Sequence, residues 1–237
     1  MEAIKEHFPH PHIPAQSGMP TYDIIAAVHR KVKANAASVA STLGGGTHGL
    51  LGLTILPETY QTVTGYPFVA PVNPGNLPTI APTATQAQIG EAVRQHKERL
   101  KIWKECVATD LALKNQILAT FDEVYLKGLR NRHVGYQNVS IRDMIQHLYT
   151  NYGIITPAEL DDNDARMRET FDPSKPIEEL YEQIEDATDF ADAAGAPYNA
   201  AQVLSRAYVL IHKTGVYNEA CRDWRKKPEQ EKTWEHF

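Results

Sequence analysis

Helical periodicity dominates the pattern of apolar and polar positions along this chain. From Thr21 onward, apolar residues recur at steps of three and four positions as far as Val39, which predicts an amphipathic helix ending near Leu43. The apolar stripe is narrow and built partly from alanine, so it suits close packing against another helix. A longer pattern begins at Thr85, which forms the sequence of a capping box with Gln88.

The long helix predicted after Thr85 has an apolar stripe with heptad-like spacing. Its members follow one another at steps of four, three, four, three and four: Ile89, Val93, His96, Leu100, Trp103 and Val107. This is the spacing of a coiled-coil seam. The run is shorter than coiled coils usually need, so an ordinary long core helix is the favoured interpretation and a coiled coil the alternative.

Helix start and stop signals continue towards the C-terminus. Three further capping pairs precede apolar patterns: Ser140 with Asp143, Thr156 with Glu159, and Asn199 with Gln202. Glycines follow several of these patterns at the position where helices commonly end: Gly153, Gly195 and Gly215. The sequence therefore predicts an all-α fold.

Residues 43–85 interrupt the helical pattern with glycine and proline. Six prolines from Pro57 to Pro82 rule out a long helix, because proline removes a backbone donor and clashes with the preceding turn. Leu51–Leu56 fits a short strand, and we expect the remainder to run extended, with polyproline stretches. A segment of this length without a helix is typical of functional or mobile loops.

These patterns predict two helical domains and an N-terminal arm. Residues 1–20 are rich in His and Pro and lack periodicity, so we expect a flexible arm without a core of its own. Residues 21–172 form the predicted first domain, and residues 173–237 form the second. The boundary is placed at Asp172–Pro176, because this polar sequence with two prolines breaks the helical pattern.

A glycine motif raises the possibility of a nucleotide cofactor. Gly44, Gly46 and Gly49 fit the spacing G-x-G-x-x-G, which cradles a pyrophosphate when a strand precedes it and a helix follows. Here a predicted helix precedes it, and the acidic residue required about 20 positions later is missing. The motif is therefore predicted to be a structural turn that positions the proline-rich segment, formed by Gly44, Gly45, Gly46, His48 and Gly49.

Composition and charge narrow the function classes. The formal net charge is −5 and the isoelectric point about 6.1, which disfavours a dedicated nucleic-acid binder. The basic clusters at Arg94–Lys104 and Arg222–Lys227 are interleaved with acids, and the acidic run from Glu159 to Asp192 is interpreted as solvated helix faces. No signal peptide or membrane-spanning run is recognisable, which predicts a soluble, cytoplasmic protein.

No catalytic constellation is recognisable in the sequence. His48 lacks a nucleophile in a tight elbow, and no His, Cys or carboxylate cluster has metal-ligand spacing. The two cysteines, Cys106 and Cys221, are interpreted as reduced thiols. We therefore expect a protein that is not an enzyme and has no cofactor or metal, with an unrecognised site near His48 as a remaining alternative.

Several segments, in this order, resemble one known family. They are "PTYDIIAAVHRKVKANAASVASTLGGGTHGLLGLTI", "FVAPVNPGNLPTI", "QHLYTNYGIITPAELDDND", "FDPSKPIEELYEQIEDATDFA" and "AYVLIHKTGVYNEACRDW". Together they resemble the Gag-type capsid region of LTR retrotransposons, in particular copia-like elements. The resemblance extends from Pro20 to Phe237, and its specificity lies in the order of the segments, because none of them is a catalytic signature.

The resemblance implies a self-assembling structural protein. An N-terminal domain would build rings of five or six subunits, and a C-terminal domain starting at about Pro173 would pair neighbouring rings. The product would be a cytoplasmic virus-like particle enclosing the element's RNA, which would be gripped by a region outside this chain. The partners implied are therefore other copies of the chain and RNA, with no membrane.

Large apolar residues at helical spacing are the candidate assembly or core residues. They are Trp103, Tyr181, Ile184, Phe190 and Trp224. A core position is favoured for Ile184, Phe190 and Trp224, because such residues usually face inward. The alternative function is a capsid-derived adaptor, in which a groove around Tyr181, Ile184 and Tyr208 would take a peptide.

Overall fold

The computed structural model describes residues 2–81 and 83–237, and it is all-helical over these ranges. The helices are α1 (Glu2–Lys5), α2 (Tyr22–Ser38), α3 (Pro57–Thr64), α4 (Gln86–Thr120), α5 (Ile141–Tyr152), α6 (Pro157–Arg166), α7 (Glu178–Ala193), α8 (Ala200–Lys213) and α9 (Asn218–Lys226). Within the described ranges, the only β-type pairing is an isolated bridge between Asn131 and Gly135. The all-α prediction is confirmed.

The backbone contacts divide the chain into two units, Met1–Gly153 and Ile154–Phe237. Each unit has its own apolar core. No helix in the described part of the chain has both the length and the apolar composition needed to cross a membrane.

The core of the first unit is built by α2, α5 and the second half of α4. Fully buried side chains line the facing surfaces of these three helices: Ile25, Val32 and Ala36 of α2, Leu113 and Ile117 of α4, and Ile141, Met144 and Leu148 of α5. The alanine in the α2 stripe lets the helix backbones approach closely. Each buried Leu or Ile contributes about 1.5–3 kcal/mol of burial free energy.

The N-terminal segment packs against this core, which differs from the flexible arm predicted for residues 1–20. Phe8 and Ile13 are buried, with 4% and 9% of their surface exposed. Polar contacts fix the backbone between them: Asn35 donates from Nδ2 to the carbonyl oxygen of His10 at 2.8 Å and accepts from the His10 amide at 2.8 Å. Gln116 donates to the same carbonyl at 3.0 Å. These anchoring contacts do not recur at a regular spacing, so they leave no recognisable pattern in the sequence.

The segment predicted as an extended stretch contains short helical turns. Leu51–Leu53 is a 3-10 turn instead of a strand, and α3 begins at Pro57, which occupies its first turn. Proline is well accommodated there because the first amides of a helix have no intrahelical acceptor. Gly65 ends α3 with a left-handed φ of 76°. The described residues between 66 and 85 form no helix or strand.

The second unit consists of α6–α9 and begins before the predicted boundary at Asp172–Pro176. Helix α6 belongs to it because Asn163, which is buried, donates from Nδ2 to the carbonyl oxygen of Ala187 in α7 at 2.8 Å. Met167, just after α6, is fully buried in the second core. The Asp172–Pro176 break is therefore a loop within this unit.

The N-terminal segment should loosen when its polar anchor is removed. Asn35→Ala leaves the His10 amide without its acceptor in a partly buried site, so we expect a loss of about 1–3 kcal/mol in the free energy of unfolding. Urea denaturation measures this loss, and tryptic cleavage after Lys5, in the same segment, should accelerate. Asn76→Ala, at an exposed position, is the control and should change neither quantity. Equal protease resistance of Asn35→Ala and the wild type would contradict the anchoring role.

The first unit should lose stability in mild acid through His29. Burial, reinforced by the charge of Lys33, lowers the pKa of His29 to about 4, while its Nε2 lies 3.2 Å from the Thr54 carbonyl oxygen, a contact that raises the pKa. The unfolded chain binds this proton near pH 6.5, so stability is complete above that pH and falls as the pH decreases towards 4. From about pH 7 to about pH 5 the loss is about 2 kcal/mol.

The measurement is the urea midpoint at the two pH values for the wild type and for His29→Gln. The variant should show a pH dependence smaller by this amount, because Gln keeps a donor for Thr54 but does not titrate. Identical slopes would contradict the assignment.

Candidate functional site

The glycine-rich loop after α2 is a packing site for aromatic side chains. Tyr60 donates from its hydroxyl to the carbonyl oxygen of Gly44 at 2.8 Å. Tyr66 lies over Gly45 so closely that a Cβ there would lie 2.5 Å from the ring. These contacts hold the start of residues 66–81 against the loop. The role of the loop in positioning the proline-rich segment stays a prediction.

The loop residues named from the sequence are four glycines with an unusual backbone conformation and one histidine. Left-handed φ angles occur at four of them: Gly44, Gly45, Gly46 and Gly49. His48 is partly exposed, and its carbonyl oxygen accepts from the Leu51 amide at 3.1 Å. The loop follows helix α2, which is not the strand–loop–helix context of a pyrophosphate site.

The buried cysteine of α4 has the environment of a structural thiol. Burial, with a smaller contribution from the negative charge of Asp110, raises the pKa of Cys106 to about 11, so the nucleophilic thiolate is scarce at neutral pH. Asp110 is engaged by the nearly buried Lys114, with Nζ 2.6 Å from Oδ2. No group of three or more His, Cys, Asp or Glu residues within the described ranges is arranged to hold a metal.

The first half of α4 presents an apolar stripe that its own unit does not bury. From Gln86 to Glu105 no residue is buried, whereas the second half contributes to the core. The stripe, called here the α4 stripe, consists of Ile89, Val93, His96, Leu100 and Trp103, all partly exposed. Beyond it, Val107 and Leu111 are 46% and 41% exposed. The favoured interpretation of a core helix therefore applies only to the second half.

A row of basic residues runs beside the α4 stripe. It consists of Arg94, Lys97, Lys101 and Lys104, each one position after a stripe residue. Arg94 forms a two-pronged hydrogen bond with Glu91, at 2.7 and 2.8 Å, which lowers the pKa of that carboxyl to about 2, with a smaller contribution from Gln95. Lys97 and Lys104 have no ion-pair partner within the described part of the chain. Lys101 lies 3.9 Å from Glu105, so Lys97 and Lys104 are the members of this basic row that are available to an external acidic partner.

An acidic row runs along α7 in the second unit. Its residues are all exposed and follow at steps of four, three, four and three: Glu178, Glu182, Glu185, Asp189 and Asp192. This spacing places them on one face of the helix. The opposite face is buried, with Leu180 and Ile184 fully inaccessible.

A groove lies beside the acidic row, between α7 and α8. Its volume is about 390 Å³, and its lining is mainly apolar: Ile184, Thr188, Tyr198, Ala200, Val203 and Trp234, with Glu185 and Asp189 at the rim. Trp234 forms one wall, since it meets Tyr181 edge-to-face at 5.6 Å and donates from Nε1 to Glu185 at 3.0 Å. The lining includes no basic side chain, so this α7–α8 groove is apolar with an acidic rim.

The candidate assembly or core residues fall into two groups. Ile184 and Phe190 are buried in the second unit, with 0% and 4% of their surface exposed. Trp103, Tyr181 and Trp224 remain partly exposed. The first two stabilise the unit from within, whereas the other three retain surface that a neighbour can contact.

The two units carry net charges of opposite sign. Residues 1–153 contain fourteen Lys or Arg against eleven Asp or Glu, which gives +3. Residues 154–237 contain ten against eighteen, which gives −8. The charge of the chain is therefore unevenly distributed between the two units.

Comparisons of the chain with protein-family models, with curated proteins and with solved structures found no match.

The loop should tolerate a Cβ at one glycine and not at another. Gly49→Ala brings a methyl group into overlap with the carbonyl oxygen of Ala37 and to 2.5 Å from that of Val39, whereas Gly46→Ala meets its nearest atom at 3.6 Å. Both positions have left-handed φ, so both variants carry a strain of about 1 kcal/mol. We expect Gly49→Ala to lose a further ~2 kcal/mol or more in urea denaturation. Equal losses for the two variants would contradict the close packing.

Proposed function

We propose that this chain is a self-assembling structural protein, the capsid (Gag) protein of a copia-like LTR retrotransposon. The observation that carries the proposal is the α4 stripe, in which apolar side chains of an ordered helix remain partly exposed. Apolar patches of this kind on ordered elements mark interaction sites. The sequence resemblance supplies the class, and cytoplasmic virus-like particles enclosing RNA are the product it implies.

The two-unit architecture is consistent with assembly from identical copies. Each unit has its own core, so each can present a rigid surface to a different neighbour. The opposite charges of the units favour association between copies over repulsion between like surfaces. RNA binding is assigned to a region outside this chain, because the basic row on α4 is short and alternates along the sequence with Glu98 and Glu105.

A second candidate function is a capsid-derived adaptor that binds a peptide. The observation that favours it is the α7–α8 groove, whose volume and apolar lining suit the anchor side chains of a bound segment. Such a protein would bind its target as a monomer, which distinguishes it from the first candidate.

The purified protein should form oligomers larger than a dimer as its concentration rises. Light scattering across a range of salt concentrations measures the mass, and electron microscopy shows whether rings or particles form. Leu100→Glu introduces a charge into the α4 stripe and should shift the association to concentrations about tenfold higher or more. The control is Val124→Glu, at an apolar residue 60% exposed elsewhere in the first unit, which should assemble normally.

A wild-type protein that stays monomeric under all these conditions would contradict the capsid assignment and favour the adaptor. Circular dichroism of both variants checks that the helices are retained.

A further inference from the structure

We propose that the α4 stripe of one copy docks into the α7–α8 groove of a second copy, with the basic row of the first against the acidic row of the second. This inference rests on the proposed self-assembly and names the surfaces that would perform it. The contact is a helix laid along a groove, a recurrent mode in which apolar anchors enter the groove and charges at its edges fix the register.

The charged rows match in sign and in spacing. Lys97 and Lys104 are seven residues apart on α4, and Glu182 and Asp189 are seven residues apart on α7. Each pair therefore spans about 10.5 Å along its helix axis. Two helices that cross at a shallow angle can bring both pairs together at once. A match at one position alone would leave the register free, whereas two fix it.

The apolar parts of the two surfaces also correspond. Leu100 and Trp103 lie three positions apart on the α4 stripe, beside Lys101 and Lys104. The groove offers about 390 Å³ between Ile184, Val203 and Trp234, which is enough for anchor side chains of this kind. Aromatic anchors that enter such pockets carry much of the energy of protein interfaces.

Pairing of the α4 stripe with the same stripe of a second copy is disfavoured by charge. In a parallel coiled coil Arg99 would face Lys104 of the other helix, and in an antiparallel one Lys97 and Lys104 would face each other. Like charges in these positions oppose association. The carboxylates Glu91 and Glu105 are paired with Arg94 and Lys101, so they do not neutralise the charges that would face each other.

The symmetry of the contact suits an assembly. Because the two surfaces lie on different units of one chain, every copy offers both a stripe and a groove. A contact between unlike surfaces continues from copy to copy and closes into a ring when the rotation allows. Many modest contacts of this type reinforce one another.

Charge reversal tests the proposal with full-length chains. The first variant is Lys97→Glu with Lys104→Glu, and the second is Glu182→Lys with Asp189→Lys, all at exposed positions where folding should be little affected. The matched control is Lys127→Glu with Arg132→Glu, which makes the same charge change on another exposed surface of the first unit. Sedimentation velocity measures association, and circular dichroism checks the helix content.

Each reversal alone should weaken association about tenfold or more, because like charges then face each other. An equimolar mixture of the two variants should recover the wild-type association, since the carboxylates introduced on α4 of one variant meet the ammonium groups introduced on α7 of the other. The control should assemble as the wild type does. Recovery in the mixture also shows that both variants are folded and that the contact forms between copies.

The outcomes distinguish a failure of this inference from a failure of the proposed function. If the wild type assembles and either reversal assembles equally well, the proposed contact is wrong while the self-assembling function stands. Weakened variants that fail to recover on mixing also overturn it, because complementary charges have then been restored without effect. If the wild type remains monomeric throughout, the proposed function fails, and this contact with it.

Discussion

The length of α4 is the constraint on which the rest of the first unit depends. Its 35 residues span about 52 Å, whereas a folded body of about 150 residues has a radius of gyration of about 15 Å. A unit of this size cannot enclose the whole helix. The second half is covered by α2 and α5, while the first half keeps an apolar stripe in contact with solvent. The helix therefore both completes a core and presents a surface.

The distribution of charge along the chain places groups of one sign beside that surface. The sequence as a whole is only mildly acidic, but this average conceals a first unit at +3 and a second at −8. The basic row lies beside the α4 stripe and the acidic row beside the α7–α8 groove, so each apolar surface has an edge of one sign. Charge at the edge of an apolar contact contributes more to the choice of partner and to register than to affinity.

The helices that begin with a capping box were predictable from the sequence, because caps and periodicity are local. The capping boxes at Thr85, Ser140, Thr156 and Asn199 all form in the structure. The residues that surround a helix come from distant parts of the chain, so the local sequence does not indicate them. Periodicity shows that the first half of α4 is amphipathic, but it cannot show whether the chain itself covers the apolar face.

The remaining misses have the same origin. The N-terminal segment depends on Asn35 and Gln116, two polar residues of distant helices, and no pattern in residues 1–20 indicates them. The loop glycines were recognised as a turn, but their partners Tyr60 and Tyr66 could be identified only in three dimensions. The sequence alone predicts that the acidic residues of α7 lie on a solvated helix face. Its position beside a groove closed by Trp234 depends on tertiary packing.

The proposed contact between the α4 stripe and the α7–α8 groove combines apolar and charged groups, and this combination determines how salt should act on it. Added salt shortens the Debye length from about 8 Å at 0.15 M to about 3 Å at 1 M, so the proposed attraction between the two charged rows should weaken. Burial of Leu100 and Trp103 in the proposed contact would not be screened, and salts that are excluded from protein surfaces would strengthen it. Salt therefore acts differently on the affinity and on the selectivity of the proposed contact. At high salt the α4 stripe would still gain from burial, but the charged rows would no longer select the surface that buries it. The proposed assembly would therefore depend on both the apolar and the charged parts of the two surfaces.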